Sequence, residues 1–140
     1  MRYWDASALV SLCVAEEDTA AARKLAAGGI ATWSLSAVEI ASAIERRSRD
    51  GSLEAGERAL ARAALADLAA SWTEIAALGP VRERALRLVA THPIRAADAM
   101  QLGAALVAVS DRPAGHDFVT TDARLRNAAS REGFRVLPRP

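Results

Sequence analysis

Cysteine, lysine, aromatic residues and long apolar runs are all scarce in this chain, and each scarcity excludes something. Cys13 is the one cysteine among 140 residues, so no internal disulfide can form, and a reducing cytoplasm is the expected setting. Aromatics are 4% of the chain against 51% for all hydrophobic residues. The core is left to Ala, Leu, Val and Ile, which favours closely packed helices, and no aromatic interleaving offers a base-stacking platform. The longest stretch without charge, Leu25 to Val38, is interrupted by Gly28-Gly29 and is too short and broken to span a membrane. Arg2 and Asp5 stand where a signal peptide would place apolar residues, so no export signal is expected.

What is present is arginine and alternation. Every basic residue except Lys24 is arginine, and the net charge is +1. A guanidinium grips phosphate through a planar fork, so nucleic acid is a permitted partner. A genome biased toward Ala and Arg is the simpler source of the total. At this length one domain, 1–140, with a sizeable core is expected.

Arg2-Tyr3-Trp4 reads as a short strand ending at Asp5, with a helix from about Ser7. A helix over Thr19 to Ala27 has Asp18 as N-cap and Gly28-Gly29 as its stop. Ile30 to Trp33 is a buried strand, Ser34 to Arg49 a helix, Glu54 to Ala70 another, and Trp72 to Ile75 a short strand. Pro80 opens a helix running to about Ala90. After a loop at Thr91–Ile94 comes a helix from Arg95 to Val109 and a turn over Asp111 to Gly115. Phe118 to Thr120 is a strand, Asp122 to Arg131 a helix capped by Gly133, and Phe134 to Leu137 a last strand. Such alternation implies α/β architecture, a parallel sheet covered on both faces.

Four acids stand where a strand hands over to a helix, or in that helix's first turn: Asp5, Glu39, Asp98 and Asp122. Each has an ordinary explanation. Asp5 and Asp122 suit N-caps, Glu39 completes a capping box with Ser36, and Asp98 favours the positive end of its helix. Their conjunction says more, because ligands of open α/β sheets bind beyond the carboxyl ends of the strands. The helix around Asp98 is apolar nearly all round, so it should be buried, and a buried carboxylate needs a cation or several donors. Clustered carboxylates repel one another unless a cation lies among them, and oxygen ligands suit Mg²⁺ or Mn²⁺. The residues alone point to a metal-dependent phosphoryl-transfer enzyme.

The chain also resembles a known family. Asp5-Ala6-Ser7-Ala8-Leu9, Ser36-Ala37-Val38-Glu39, Arg95-Ala96-Ala97-Asp98-Ala99-Met100-Gln101-Leu102 and Phe118-Val119-Thr120-Thr121-Asp122 are similar to the successive motifs of PIN-domain proteins. The nearest likeness is to the VapC-type toxins of bacterial toxin–antitoxin pairs, and it covers essentially the whole chain. It implies a three-layer α/β/α fold around a central, mostly parallel sheet of four to five short strands. It implies that Asp5, Glu39, Asp98 and Asp122 surround one or two Mg²⁺ or Mn²⁺ ions, with Thr120 and Ser7 lining the same pocket in support. The implied activity is endoribonuclease cleavage of structured RNA, often tRNA or rRNA, by metal-activated water, which agrees with what phosphodiester hydrolysis requires. The implied partners are a second copy of the chain, as a homodimer, and a cognate antitoxin.

Other residues are weighed beside this set. Arg46, Arg47 and Arg49 follow Glu39 on one helix, Arg46 two turns on along its face and Arg47 pointing elsewhere; with Arg95, Arg124 and Arg126 they could hold phosphate, or simply be a solvated face paired with Glu45 and Asp50. Asp117 is a loop acid able to assist or replace Asp122. His92 and His116 read as surface groups in loops, Cys13 as a small core residue, and Gly103 as a site of close packing. A catalytically silent antitoxin-binding module and a nuclease of RNA or DNA processing are the rival functions. A phosphoaspartate receiver lacks its late lysine, and a Rossmann protein its glycine-rich turn.

Overall fold

Tyr3-Trp4, Thr32-Trp33 and Phe118-Val119 place aromatic and β-branched side chains in short runs, the composition that favours extended backbone. In a computed structural model, which describes residues 1–15 and 19–139, all three runs are strands. The elements in chain order are β1 (Arg2–Trp4), α1 (Ala6–Cys13), α2 (Thr19–Ala26), β2 (Ala31–Trp33), α3 (Ser36–Arg49) and α4 (Ala55–Ser71). There follow β3 (Thr73–Ile75), α5 (Leu78–Thr91), α6 (Ala96–Ala108), β4 (Asp117–Val119), α7 (Ala123–Glu132) and β5 (Arg135–Leu137). The strands form one sheet in the order β3-β2-β1-β4-β5, and every pairing is parallel. The expected sheet of four to five mostly parallel strands is therefore five strands, all parallel.

Successive side chains of a strand point to opposite faces, and here each face has its own core. Tyr3, Trp33 and Phe118 pack with Val81, Leu88, Leu102 and Leu125 of α5, α6 and α7. Tyr3 stacks on Phe118 with ring centroids 5.2 Å apart. Trp4 and Val119 pack on the other side with Leu9, Ile40, Ile44, Ala61 and Leu65 of α1, α3 and α4. Three layers result.

Several expectations shift in detail. Helix α5 starts at Leu78 rather than Pro80; Pro80 sits inside the first turn, where backbone N–H groups have no intrahelical partner anyway. Asp18, expected as an N-cap, lies outside the described residues. Gly133 ends α7 with φ 110°, the left-handed conformation that a C-terminal glycine supplies. His92 is not a surface group: it is 6% exposed, and its Nε2 lies 2.7 Å from Glu132 Oε2 on α7. His116 meets the N-terminal amine at 2.8 Å. Cys13 is half-buried against the core beneath α1, and burial pushes its thiol up to about 11.

Asp117 is the first residue of β4, at the amino end of the sheet. It accepts from Arg2 Nε at 3.0 Å and from Arg135 Nε at 2.5 Å. Burial pulls its carboxyl upward, but the hydrogen bonds from Arg135 and Arg2 outweigh that and hold it below the usual range. It clasps three neighbouring strands and stands at the opposite edge from Asp5.

Gly103 lets α6 press onto α5. A Cβ there would lie 2.9 Å from the Val81 carbonyl oxygen and 3.4 Å from the Ala85 nitrogen. Those are backbone atoms, so relief requires the helices to part. Gly103→Ala is expected to cost about 1–3 kcal/mol, read as an earlier urea midpoint; an unchanged midpoint would show that the helix pair yields freely.

Candidate active site

From β1 the chain moves outward to β2 and β3, then returns to build β4 and β5 on the other side. The order reverses between β1 and β4, and a reversal of this kind opens a crevice at the carboxyl ends of the strands. Pairing of Trp4 with Val119 sets Asp5 beside Thr120, and the Asp5 amide donates to the Val119 carbonyl at 3.1 Å.

Asp5 caps α1: the Ala8 amide donates to its Oδ1 at 3.0 Å. The Ser7 hydroxyl lies 2.8 and 2.9 Å from the two carboxylate oxygens. The Thr120 hydroxyl donates to Oδ2 at 2.8 Å. Ser7 Oγ also accepts the Thr121 amide at 3.1 Å, and Thr120 Oγ1 accepts the Asp122 amide at 3.0 Å. Two hydroxyls thus knit the exit of β4 to Asp5. Asp5 is 3% exposed. Burial pushes its pKa up to about 7; the bonds from Ala8, Ser7 and Thr120 oppose this, and the Asp122 charge adds to it.

The other three acids are half-buried. Asp122 caps α7, accepting from the Leu125 amide at 2.9 Å. Asp98, in the first turn of α6, accepts from the Arg95 amide at 3.2 Å. The first turn of α6 is more exposed than its apolar sequence implies: Ala96 and Ala97 are exposed, and full burial begins at Ala99. Glu39 does not form the expected capping box. Ser36 is already the first residue of α3, the cap position falls on Leu35, and Glu39 Oε2 instead accepts from Gln101 Nε2 at 3.0 Å. Burial raises the pKa of Glu39, as does the charge of Asp98. Burial likewise raises Asp98, with Asp122 contributing. The acids therefore sense one another in sequence: Glu39 with Asp98, Asp98 with Asp122, Asp122 with Asp5.

A cleft of about 530 Å³ joins three of them, lined by Ser7, Glu39, Asp98 and Asp122 together with Arg46, Arg47 and Arg95, and buried Asp5 meets it through the Ser7 hydroxyl. A hollow of about 360 Å³ continues it past Asp98 and Asp122 to Arg95 and Arg124. Arg47, expected to point away, lines the cleft beside Arg46. Arg126 does not join them: it donates to the Pro138 and Thr120 carbonyls at 2.8 and 3.1 Å, fastening the chain's end. Nor is Glu45 the partner of Arg46, because Arg58 of α4 holds it at 2.9 Å. Asp50 is bonded by the Ser52 amide at 2.9 Å. Among the described residues, no ion pair includes any of the four carboxylates.

Gln101 is the residue that sequence reasoning passed over. It is 2% exposed and touches Glu39, yet it was only part of a motif. The signal was available: between Ala99 and Val109 it is the one polar side chain, one helical turn after Asp98.

The cleft offers carboxylate and hydroxyl oxygens, without thiol or imidazole, which suits a hard divalent cation. Among the described residues, no three His, Cys, Asp or Glu side chains gather tightly enough to enclose an ion by themselves. Mg²⁺ keeps several waters and is commonly held by one or two carboxylates, so some of these acids would meet such an ion through water. Like charges that form no ion pair among the described residues supply the attraction.

A PIN-domain family model matches residues 2–130. The chain is 33% identical over 138 residues to Ribonuclease VapC45 of Mycobacterium tuberculosis (strain CDC 1551 / Oshkosh), covering 97% of this chain and 94% of that protein. It has the same identity and coverage with Ribonuclease VapC49 of Mycobacterium tuberculosis (strain ATCC 25618 / H37Rv).

The buried acid makes a prediction for protein stripped with EDTA. The folded pKa of Asp5, about 7, lies above the ordinary 3.8. Stability belonging to this group is therefore full below pH 3.8 and is lost as pH rises through 7, a burden of at most ~4 kcal/mol. Asp5→Asn should gain melting temperature over wild type between pH 5 and pH 8. A pH-independent difference would mean that the carboxylate ionises unhindered.

Proposed function

Because the chain belongs to the PIN-domain family, we propose that it is a metal-dependent endoribonuclease, the toxin of a toxin–antitoxin pair, built as one domain over 1–140. The observation that carries this reading is the cleft that Glu39, Asp98 and Asp122 line together, with arginines among its walls and buried Asp5 joined to it through Ser7.

Asp5, Glu39, Asp98 and Asp122 are the residues that would hold Mg²⁺ or Mn²⁺. When bound, the ion supplies Lewis-acid chemistry: a water acidic enough to act as hydroxide near neutral pH, and neutralisation of charge on the phosphoryl oxygens. Ser7 and Thr120 keep the Asp5 carboxylate in one orientation, each donating a hydroxyl proton to it. Arg46, Arg47, Arg95 and Arg124 lie where RNA phosphates would pass, and their forks would fix the backbone relative to the acids. With no base-stacking aromatics at the cleft, a structured RNA such as tRNA or rRNA would be recognised by shape and phosphate placement.

A cognate antitoxin and a second copy of the chain are the proposed partners, in the cytoplasm. Two sets of exposed apolar side chains support them: Leu35 and Val38 next to Glu39, and Leu78, Leu86 and Val89 on α5. Among the described residues, no helix is long and apolar enough to cross a membrane.

Antitoxin-free protein incubated with total RNA and tRNA should give discrete cuts with Mg²⁺ or Mn²⁺ and none with EDTA. Asp98→Asn should lower the rate by about 10²–10³-fold. Equal cutting by the variant would reveal a contaminating ribonuclease, and no cutting by either protein would favour a silent binding module. Replacing Arg46 and Arg47 by Ala should weaken RNA binding at low salt and flatten its salt dependence by about 0.7 per lost phosphate contact. An unchanged slope would remove these arginines from the RNA path.

A further inference from the structure

We propose that Gln101 is a positioning residue, which sets the orientation of the Glu39 carboxylate and ties it to the strand that leads into Asp5; this rests on the metal-dependent reading above. The amide is fully committed. Its Oε1 accepts from the Tyr3 hydroxyl at 2.5 Å, and its Nε2 donates to Ser36 Oγ at 3.0 Å and to Glu39 Oε2 at 3.0 Å. Turned over, the amide would set its oxygen against the Glu39 carboxylate, so the surrounding network selects one orientation.

The direction of the remaining protons follows. Thr32 Oγ1 lies 2.7 Å from the Trp4 carbonyl, which can only accept, so the threonine proton is spent there. Its 2.7 Å contact with Ser36 Oγ must then take the serine proton. Donation runs one way, from Gln101 to Ser36 to Thr32 to the Trp4 carbonyl, on the residue before Asp5. Thr32, Ser36 and Gln101 are all 2% exposed or less, so each link is screened from water, where broken bonds are costly.

A core glutamine with no outward task would need only internal partners. One of the two Nε2 protons instead leaves the core for a cleft carboxylate, across 62 residues of sequence. Gln101 thereby holds one oxygen of Glu39, a residue that lines the cleft. Orientation of ligating carboxylates by such outer contacts is worth about 10–100-fold in metal affinity.

The test is Mn²⁺ titration by calorimetry of EDTA-stripped protein, well below its melting temperature, on wild type, Gln101→Met and Tyr3→Phe. Gln101→Met keeps the volume and removes the donor. It should bind Mn²⁺ about 10–100-fold more weakly while circular dichroism shows it folded. Tyr3→Phe, which frees only the acceptor side, should weaken binding less, and it carries the test if Gln101→Met does not fold. A purely structural role would lower the melting temperature and leave Mn²⁺ affinity at the wild-type value. Wild-type affinity in the folded variant overturns the inference alone. No Mn²⁺ binding by wild type overturns it together with the cation reading, so the two failures are distinguishable.

Discussion

Repulsion among carboxylates is the constraint around which this molecule is arranged. Asp5, Glu39, Asp98 and Asp122 arrive from four parts of the chain, and charges of one sign do not assemble without something that holds them. Here hydrogen-bond donors hold the carboxylates directly, and the Arg95 and Arg124 charges ease Asp98 from a distance. Backbone amides at the starts of α1, α6 and α7 bond Asp5, Asp98 and Asp122. Hydroxyls of Ser7 and Thr120 bond Asp5, and an amide side chain bonds Glu39. A donor leaves the negative charge in place, whereas a salt bridge would have cancelled it. The arginines stand along the rim rather than on the acids, so the field of the cleft keeps a negative floor beneath positive walls.

The fold supplies the rigidity that such crowding demands. Strands of three residues would not hold a position by their own ladder bonds. Two cores clamp them, with Tyr3 and Phe118 on one side and Trp4 and Val119 on the other. Helix α6 serves both the core and the cleft. Its middle is pressed onto α5 at Gly103, while its first turns present Asp98 and Gln101. Asp117 secures the far edge by joining β1, β4 and β5 through Arg2 and Arg135.

Much of this was legible in the sequence, for local reasons. Turn residues and periodicity announced the elements, with shifts at ends such as the start of α5, and the acids at strand exits could be read because a parallel sheet forces its exits to one edge. Contacts between distant segments were not legible. Glu39 looked like half of a capping box with Ser36, because both are near one helix start; a glutamine 62 residues on claims its oxygen instead. His92 looked like a loop surface group, since nothing local announces that Glu132 of α7 covers it. Arg47 and Arg126 were misjudged for the same reason: a helix face says which way a side chain leaves, not what stands opposite.

Asp5 is the entire connection between β1, which ends at Trp4, and α1, which begins at Ala6. One residue carries the turn, the helix cap and the buried charge. A single inserted residue would rotate α1 about its axis by roughly 100° and swing Leu9 out of the core beneath Trp4. Chain length at this junction is thus locked by packing on one side and by the cleft on the other. Lineages that descend from such a sequence can lengthen or shorten the outer loops, such as the segment between α6 and β4, but the spacing from Trp4 to Ala6 must pass unchanged.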